Sequence, residues 1–153
     1  MTKSLQDQFA PQNECFGCGP SNTLGLRIKS FVEGDELVAT FTPDNHHKAF
    51  DNVLSGGIVG TLLDCHSNWC AAYAIMKKRG EKIPPCTVTA KYAVQLLAPT
   101  PMNCALKLIA KPTLVTEKKA EVSAKLIADG LCTATCEGLF VAVSPGHPGY
   151  HRW

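Results

Sequence analysis

From Ser55 to about Met76 the chain reads as one helix with hardly any polar side, and this segment dictates what the rest must do. Ile58, Leu62, Cys65, Trp69 and Met76 spread around the cylinder, and Val59 and Leu63 fill the gap between them. Only Gly56, Gly60, Asp64 and Asn68, each four residues after the last, form a stripe of small and polar side chains, with Ser67 beside it. A helix that is apolar nearly all round is buried nearly all round, so the remaining chain has to wrap it. The material for wrapping is strand after strand. Leu24 to Phe31 and Glu36 to Thr42 read as a hairpin across Glu33-Gly34-Asp35. Cys86 to Ala98, Asn103 to Lys111, Lys119 to Ala128 and Leu131 to Val143 follow, broken by Pro99-Thr100-Pro101, Pro112-Thr113 and Asp129-Gly130. One helix among about six antiparallel strands predicts an α+β fold, a curved sheet around a central helix.

The 153 residues suit one domain, divided here into an irregular leader (1–23), the regular fold (24–143) and an irregular, Pro- and Gly-rich tail (144–153). No apolar run approaches the roughly 18 residues of a membrane span. Met1 to Gln8 is polar, without the apolar segment of a secretory signal, which points to the cytoplasm and reduced thiols. A net charge of +2, dispersed and without interleaved aromatics, argues against nucleic acid. Most of the eight cysteines lie in apolar stretches and read as core filler. Cys15-Phe16-Gly17-Cys18 has the spacing of half a zinc site, but no second C-x-x-C follows and Cys132 and Cys136 are wrongly spaced, so no metal is expected.

The chemistry concentrates on the stripe. Asp64 sits about two turns into an apolar helix, where an ionised carboxylate costs several kcal/mol unless it is paired or used. Burial beside a cleft raises its pKa toward that of a general base; pairing with a lysine at an interface is the plainer alternative. Ser55 is a helix N-cap, and Gly56 and Gly57 occupy the first turn, whose N–H groups lack intrahelical acceptors. Such amides suit a developing oxyanion; the same glycines also permit close helix–sheet packing. Lys77-Lys78-Arg79-Gly80 supplies the cations and glycine that end a helix.

Three stretches resemble the hotdog-fold acyl-CoA thioesterases, in particular the PaaI-like branch. Cys15-Phe16-Gly17-Cys18-Gly19-Pro20-Ser21-Asn22-Thr23-Leu24-Gly25-Leu26 is similar to the family's C-F-G-C-G-x-x-N-P-x-G-L leader. Ser55-Gly56-Gly57 with Leu62-Leu63-Asp64 resembles its H-G-G-x-x-x-x-L-x-D helix start, and Thr89 to Pro99 its Y-x-R-P strand. Gly130 to Val141 fits the last strand. The resemblance implies a hotdog fold and cofactor-free hydrolysis of a fatty or aromatic acyl-CoA by a homodimer or dimer of dimers. It places Asp64 as general base or nucleophile acting across the dimer, the Gly56 amide on the thioester oxygen, and Thr89 as the hydroxyl that orients water. Gly57, Asn68, and the loop histidine His47 fall beside these. Lys111, Lys118 and Lys119 are candidates for the coenzyme A phosphates. Ser55 and the Leu96/Ala98 pair depart from the family's histidine and from its tyrosine and arginine. A non-catalytic acyl-CoA binder, or a dehydratase using His47 with Asp64, are the competing readings.

Overall fold

The computed structural model describes residues 2–153. Helix α1 (Leu5–Phe9) precedes strands β1 (Phe31–Glu33) and β2 (Glu36–Phe41), a single 3-10 turn (Asn45–His47) and the short pair β3 (Lys48–Phe50) and β4 (Val53–Leu54). Helix α2 (Gly56–Arg79) comes next, followed by β5 (Thr87–Leu96), β6 (Leu106–Val115), β7 (Lys119–Ala128) and β8 (Leu131–Ala142). The main sheet has the order β1-β2-β6-β7-β8-β5 and is antiparallel throughout. It wraps α2 as the apolar cylinder required, the hotdog arrangement. Leu62, Leu63, Trp69 and Ile75 of the helix are fully buried with Leu106, Leu108, Val122, Leu126 and Phe140 of the sheet. Among the described residues no helix is long and apolar enough to cross a membrane.

Helix α2 stops where its chemistry says it should. Gly80 adopts φ 68°, a left-handed conformation open to glycine, and its N–H returns to Met76 and Lys77 carbonyls, while Lys77, Lys78 and Arg79 face the negative end of the dipole. Strand β6 corrects an expectation. It runs through Pro112, where the sequence predicts a break, because the register shifts between Pro112 and Leu114. A bulge is where a ladder N–H is dispensable, so the proline fits.

The first hairpin is also shorter than expected. Residues 24–30 do not join the sheet; Leu26 N–H and Ile28 N–H donate to Phe16 and Gly17 carbonyls of the leader instead. Arg27 at φ 50° interrupts regular pairing. The leader itself carries α1, and a buried polar chain fixes it to the core. Leu37 O accepts from His66 Nε2 at 2.9 Å, so Nε2 carries a proton, and burial, which pushes the ring's pKa down, keeps it neutral. Nδ1 then accepts from Ser30 Oγ at 2.8 Å, and Ser30 Oγ accepts from Gln6 Nε2 at 3.0 Å. The side-chain protons of this relay run from α1 through α2 to β2, and Ser30 N–H returns to Gln6 Oε1 at 2.8 Å.

A candidate active site along the helix stripe

The polar stripe of α2 lies along strand β5, residue against residue. Asn68 Oδ1 accepts from Thr87 Oγ1 at 2.8 Å, and Asp64 Oδ1 accepts from Thr89 Oγ1 at 2.7 Å. Farther toward the helix start, a Cβ on Gly60 would meet the Tyr92 hydroxyl at 3.9 Å and one on Gly56 would meet Leu96 Cδ1 at 3.4 Å. Thr87 and Thr89 are odd-numbered while Tyr92 and Leu96 are even, yet both pairs face the helix. The reason is a bulge: Thr89 pairs with Phe140 and Lys91 with Leu139, leaving Ala90 as the extra residue that shifts the alternation.

Asp64 is half-buried, and that burial is the main cause of a pKa raised above the ordinary carboxylate value. The Thr89 hydroxyl opposes the rise by donating to the carboxylate, a charge on Cys15 adds to it, and Arg152 opposes it. Arg152 reaches this region from the tail, donating Nη1–H to the Thr87 carbonyl at 3.1 Å. Next to it Trp153 stacks on Trp69 with ring centroids 4.5 Å apart. Nothing in the Pro- and Gly-rich composition of residues 144–153 signals this docking. The arrangement gives an acid held in place by one hydroxyl and tuned toward proton uptake.

At the helix start, Ser55 occupies the N-cap position, but its hydroxyl makes no capping bond. Its carbonyl accepts from Ile58 and Val59 N–H, while the amides of Gly56 and Gly57 have no backbone acceptor among the described residues. Neither glycine is demanded by packing within the chain: besides the Leu96 contact at Gly56, a Cβ on Gly57 would come only to 3.6 Å from Ser55 Oγ. The entrance is therefore open, with two N–H donors at the positive end of the dipole. His47 supports it from behind. Its carbonyl takes the Ser55 N–H at 2.9 Å, and its Nδ1 accepts from Asp44 N–H at 2.9 Å. Burial pushes the His47 pKa down.

The other candidate residues spread out. Asn68, one turn beyond Asp64, is 4 % exposed and occupied with Thr87. Lys118 and Lys119 lie at the β6–β7 turn beside the far end of α2, where Arg79 Nε donates to the Glu117 carbonyl at 2.7 Å. From Arg79 to Asp64 is about 22 Å along the helix axis, so the single chain does not bring these lysines to the acid. Lys111 lines a separate cavity of about 320 Å³ with Leu37, Tyr73 and Lys77. One grouping had no signal in sequence spacing: Cys65, next to Asp64, meets Cys15 and Cys18 of the leader.

No protein-family model and no curated protein matches the chain significantly. Solved structures do. The E. coli PaaI protein from the phenylacetic acid degradation operon shares 13 % identity over 78 % of this chain and 81 % of its own, with a TM-score of 0.64. Zebrafish thioesterase superfamily member 2 shares 15 % over 83 % and 88 %, also at 0.64. Both are likenesses of fold. A thioesterase superfamily protein from Shewanella loihica PV-4 is 31 % identical over 76 % of this chain and 91 % of its own, with a TM-score of 0.64. Identity at that level across nearly the whole of a hotdog relative means that this chain belongs to the thioesterase superfamily.

Proposed function

We propose that the chain hydrolyses the thioester of a fatty or aromatic acyl-CoA as a homodimer, alone or paired into a dimer of dimers. The observation that carries this reading is the 2.7 Å hydrogen bond from Thr89 to a half-buried Asp64 on the same helix stripe as the unpartnered Gly56 amide. Eight residues separate the two along α2, about 12 Å, too far for one carbonyl group to touch both in a single chain. The Gly56 amide therefore works with Asp64 of the partner subunit. Strand β5 supports the pairing. It is an unpaired sheet edge of ten residues with Tyr92 and Leu96 46 % and 60 % exposed, a surface that a second copy would cover.

In this scheme the thioester oxygen accepts the Gly56 N–H, with the Gly57 amide and Ser55 hydroxyl beside it. Asp64 of the partner subunit takes a proton from water as the water oxygen bonds to the carbonyl carbon. The oxyanion that forms is held by the helix-start amides. Its collapse breaks the carbon–sulfur bond, releasing the carboxylic acid and coenzyme A thiolate, which takes up the proton that Asp64 holds. Thr89 is a positioning residue for the acid.

Incubating the purified protein with acyl-CoAs of varied chain length and with aromatic acyl-CoAs should release free thiol. Asp64→Asn should lower kcat/KM by about 10²–10⁴ with circular dichroism unchanged. Binding of every acyl-CoA without turnover would overturn the enzyme reading in favour of an acyl-CoA binder.

A further inference from the structure

Three thiols from distant parts of the chain meet beside the acid-bearing helix. The Sγ atoms of Cys15, Cys18 and Cys65 all lie within 4.8 Å of one another, with Cys15 and Cys65 at 3.9 Å. Sulfurs bound to one zinc ion at 2.3 Å in tetrahedral geometry are about 3.8 Å apart, which the Cys15–Cys65 pair matches and within about 1 Å of which all three lie. A disulfide needs about 2.05 Å.

The loop that presents the first two thiols is built around them. Gly19 N–H donates to the Cys15 carbonyl at 2.8 Å, and Cys15 N–H donates to Asn13 Oδ1 at 2.7 Å, closing a tight knuckle. Gly17 leaves the room for the third sulfur, since a Cβ there would sit 2.3 Å from Cys65 Sγ. On the far side, Trp69 Nε1–H donates to Cys18 Sγ at 3.4 Å, the kind of outer contact that orients a ligand.

We propose that Cys15, Cys18 and Cys65 form a zinc site that fastens the leader to helix α2. The half-buried Cys15 lies on the accessible side, and water takes the fourth coordination position. The ion displaces the thiol protons, so binding tightens as pH rises. This site is independent of the thioesterase reading, and its test involves no turnover.

Protein stripped with chelator under reductant and titrated with Co(II) should develop a sulfur-to-cobalt charge-transfer band and the intense visible bands of a tetrahedral ion. The bands should saturate at one equivalent and be bleached by one equivalent of Zn(II). Cys65→Ser should weaken Co(II) binding on the order of 100-fold, and Cys132→Ser should leave it unchanged. A folding defect in the Cys65 variant would not blur the result, because Zn(II) should also protect Cys15, Cys18 and Cys65 of the unaltered chain from alkylation, mapped by mass spectrometry. Absence of the charge-transfer band, its full retention in Cys65→Ser, or Zn(II) protection of other thiols only would overturn the proposal.

Discussion

Lowering the pH from 7 to 5 should destabilise the protein through His66, whose burial favours the neutral ring. The imidazole is fully buried between the Ser30 hydroxyl and the Leu37 carbonyl, and burial pushes its pKa down to about 4. An unfolded histidine titrates near 6.5. Between these values the unfolded chain binds more protons, so the contribution is complete above pH 6.5 and is lost as pH falls toward 4. With one pKa unit equal to about 1.36 kcal/mol, the loss is about 2 kcal/mol at pH 5 and about 3 kcal/mol at pH 4. Urea unfolding followed by tryptophan fluorescence, in reductant and chelator, should give this difference for the unaltered chain. His66→Gln keeps an N–H for Leu37 but does not titrate, so its stability should fall by about 2 kcal/mol less between pH 7 and pH 5. Equal losses in the two proteins would refute the argument, as would an imidazole nitrogen NMR spectrum showing a protonated Nδ1 at pH 6.

Gly56→Pro removes one N–H at the first helical position, where proline is accepted, and Ser55 already has the extended ψ of 131° that a following proline needs. It should reduce kcat by about 10²–10³ with helicity intact, whereas Gly56→Ala, which keeps the amide, should cost far less in the thiol-release assay. Thr89→Val deletes the hydroxyl that holds the Asp64 pKa down, so the acid limb of the kcat/KM profile should move to higher pH; an unmoved limb would detach Thr89 from the acid. Gly19→Ala would push a Cβ to 2.4 Å from the Asn13 carbonyl oxygen and the Cys15 nitrogen, both backbone atoms, and should cost about 3 kcal/mol in urea unfolding. Gly57→Ala, with ordinary contacts, should be close to neutral by the same measurement.

The helix and its stripe were legible because 3.6-residue periodicity reports facing directly, and β7 falls on the residues its alternation marks. Leu26, Ile28 and Ser30 alternate inward, yet they pair with the leader rather than the sheet, because alternation encodes a face and not a partner. The Thr89–Asp64 pair combines a residue from a strand with one from a helix. Its members were legible singly, but their contact depends on the register of β5. Cys65 stayed hidden for a similar reason. Metal-ligand spacing is read locally, and this cysteine comes from a helix nearly fifty positions after the C-x-x-C loop.

Ala90 acts as a phase shifter in the strand that lines the site. It divides β5 into a half that governs the acid, through Thr87 and Thr89, and a half that shapes the helix entrance, through Tyr92 and Leu96. The surplus residue sits outside the ladder, since Thr89, Lys91 and Tyr92 already pair in unbroken order with Phe140, Leu139 and Gly138, so deleting Ala90 would leave Tyr92, Val94 and Leu96 on the face they now occupy. A one-residue deletion there would straighten the strand while the acid and the entrance wall kept their facing, so β5 tolerates a change of length at the one point where its two halves meet.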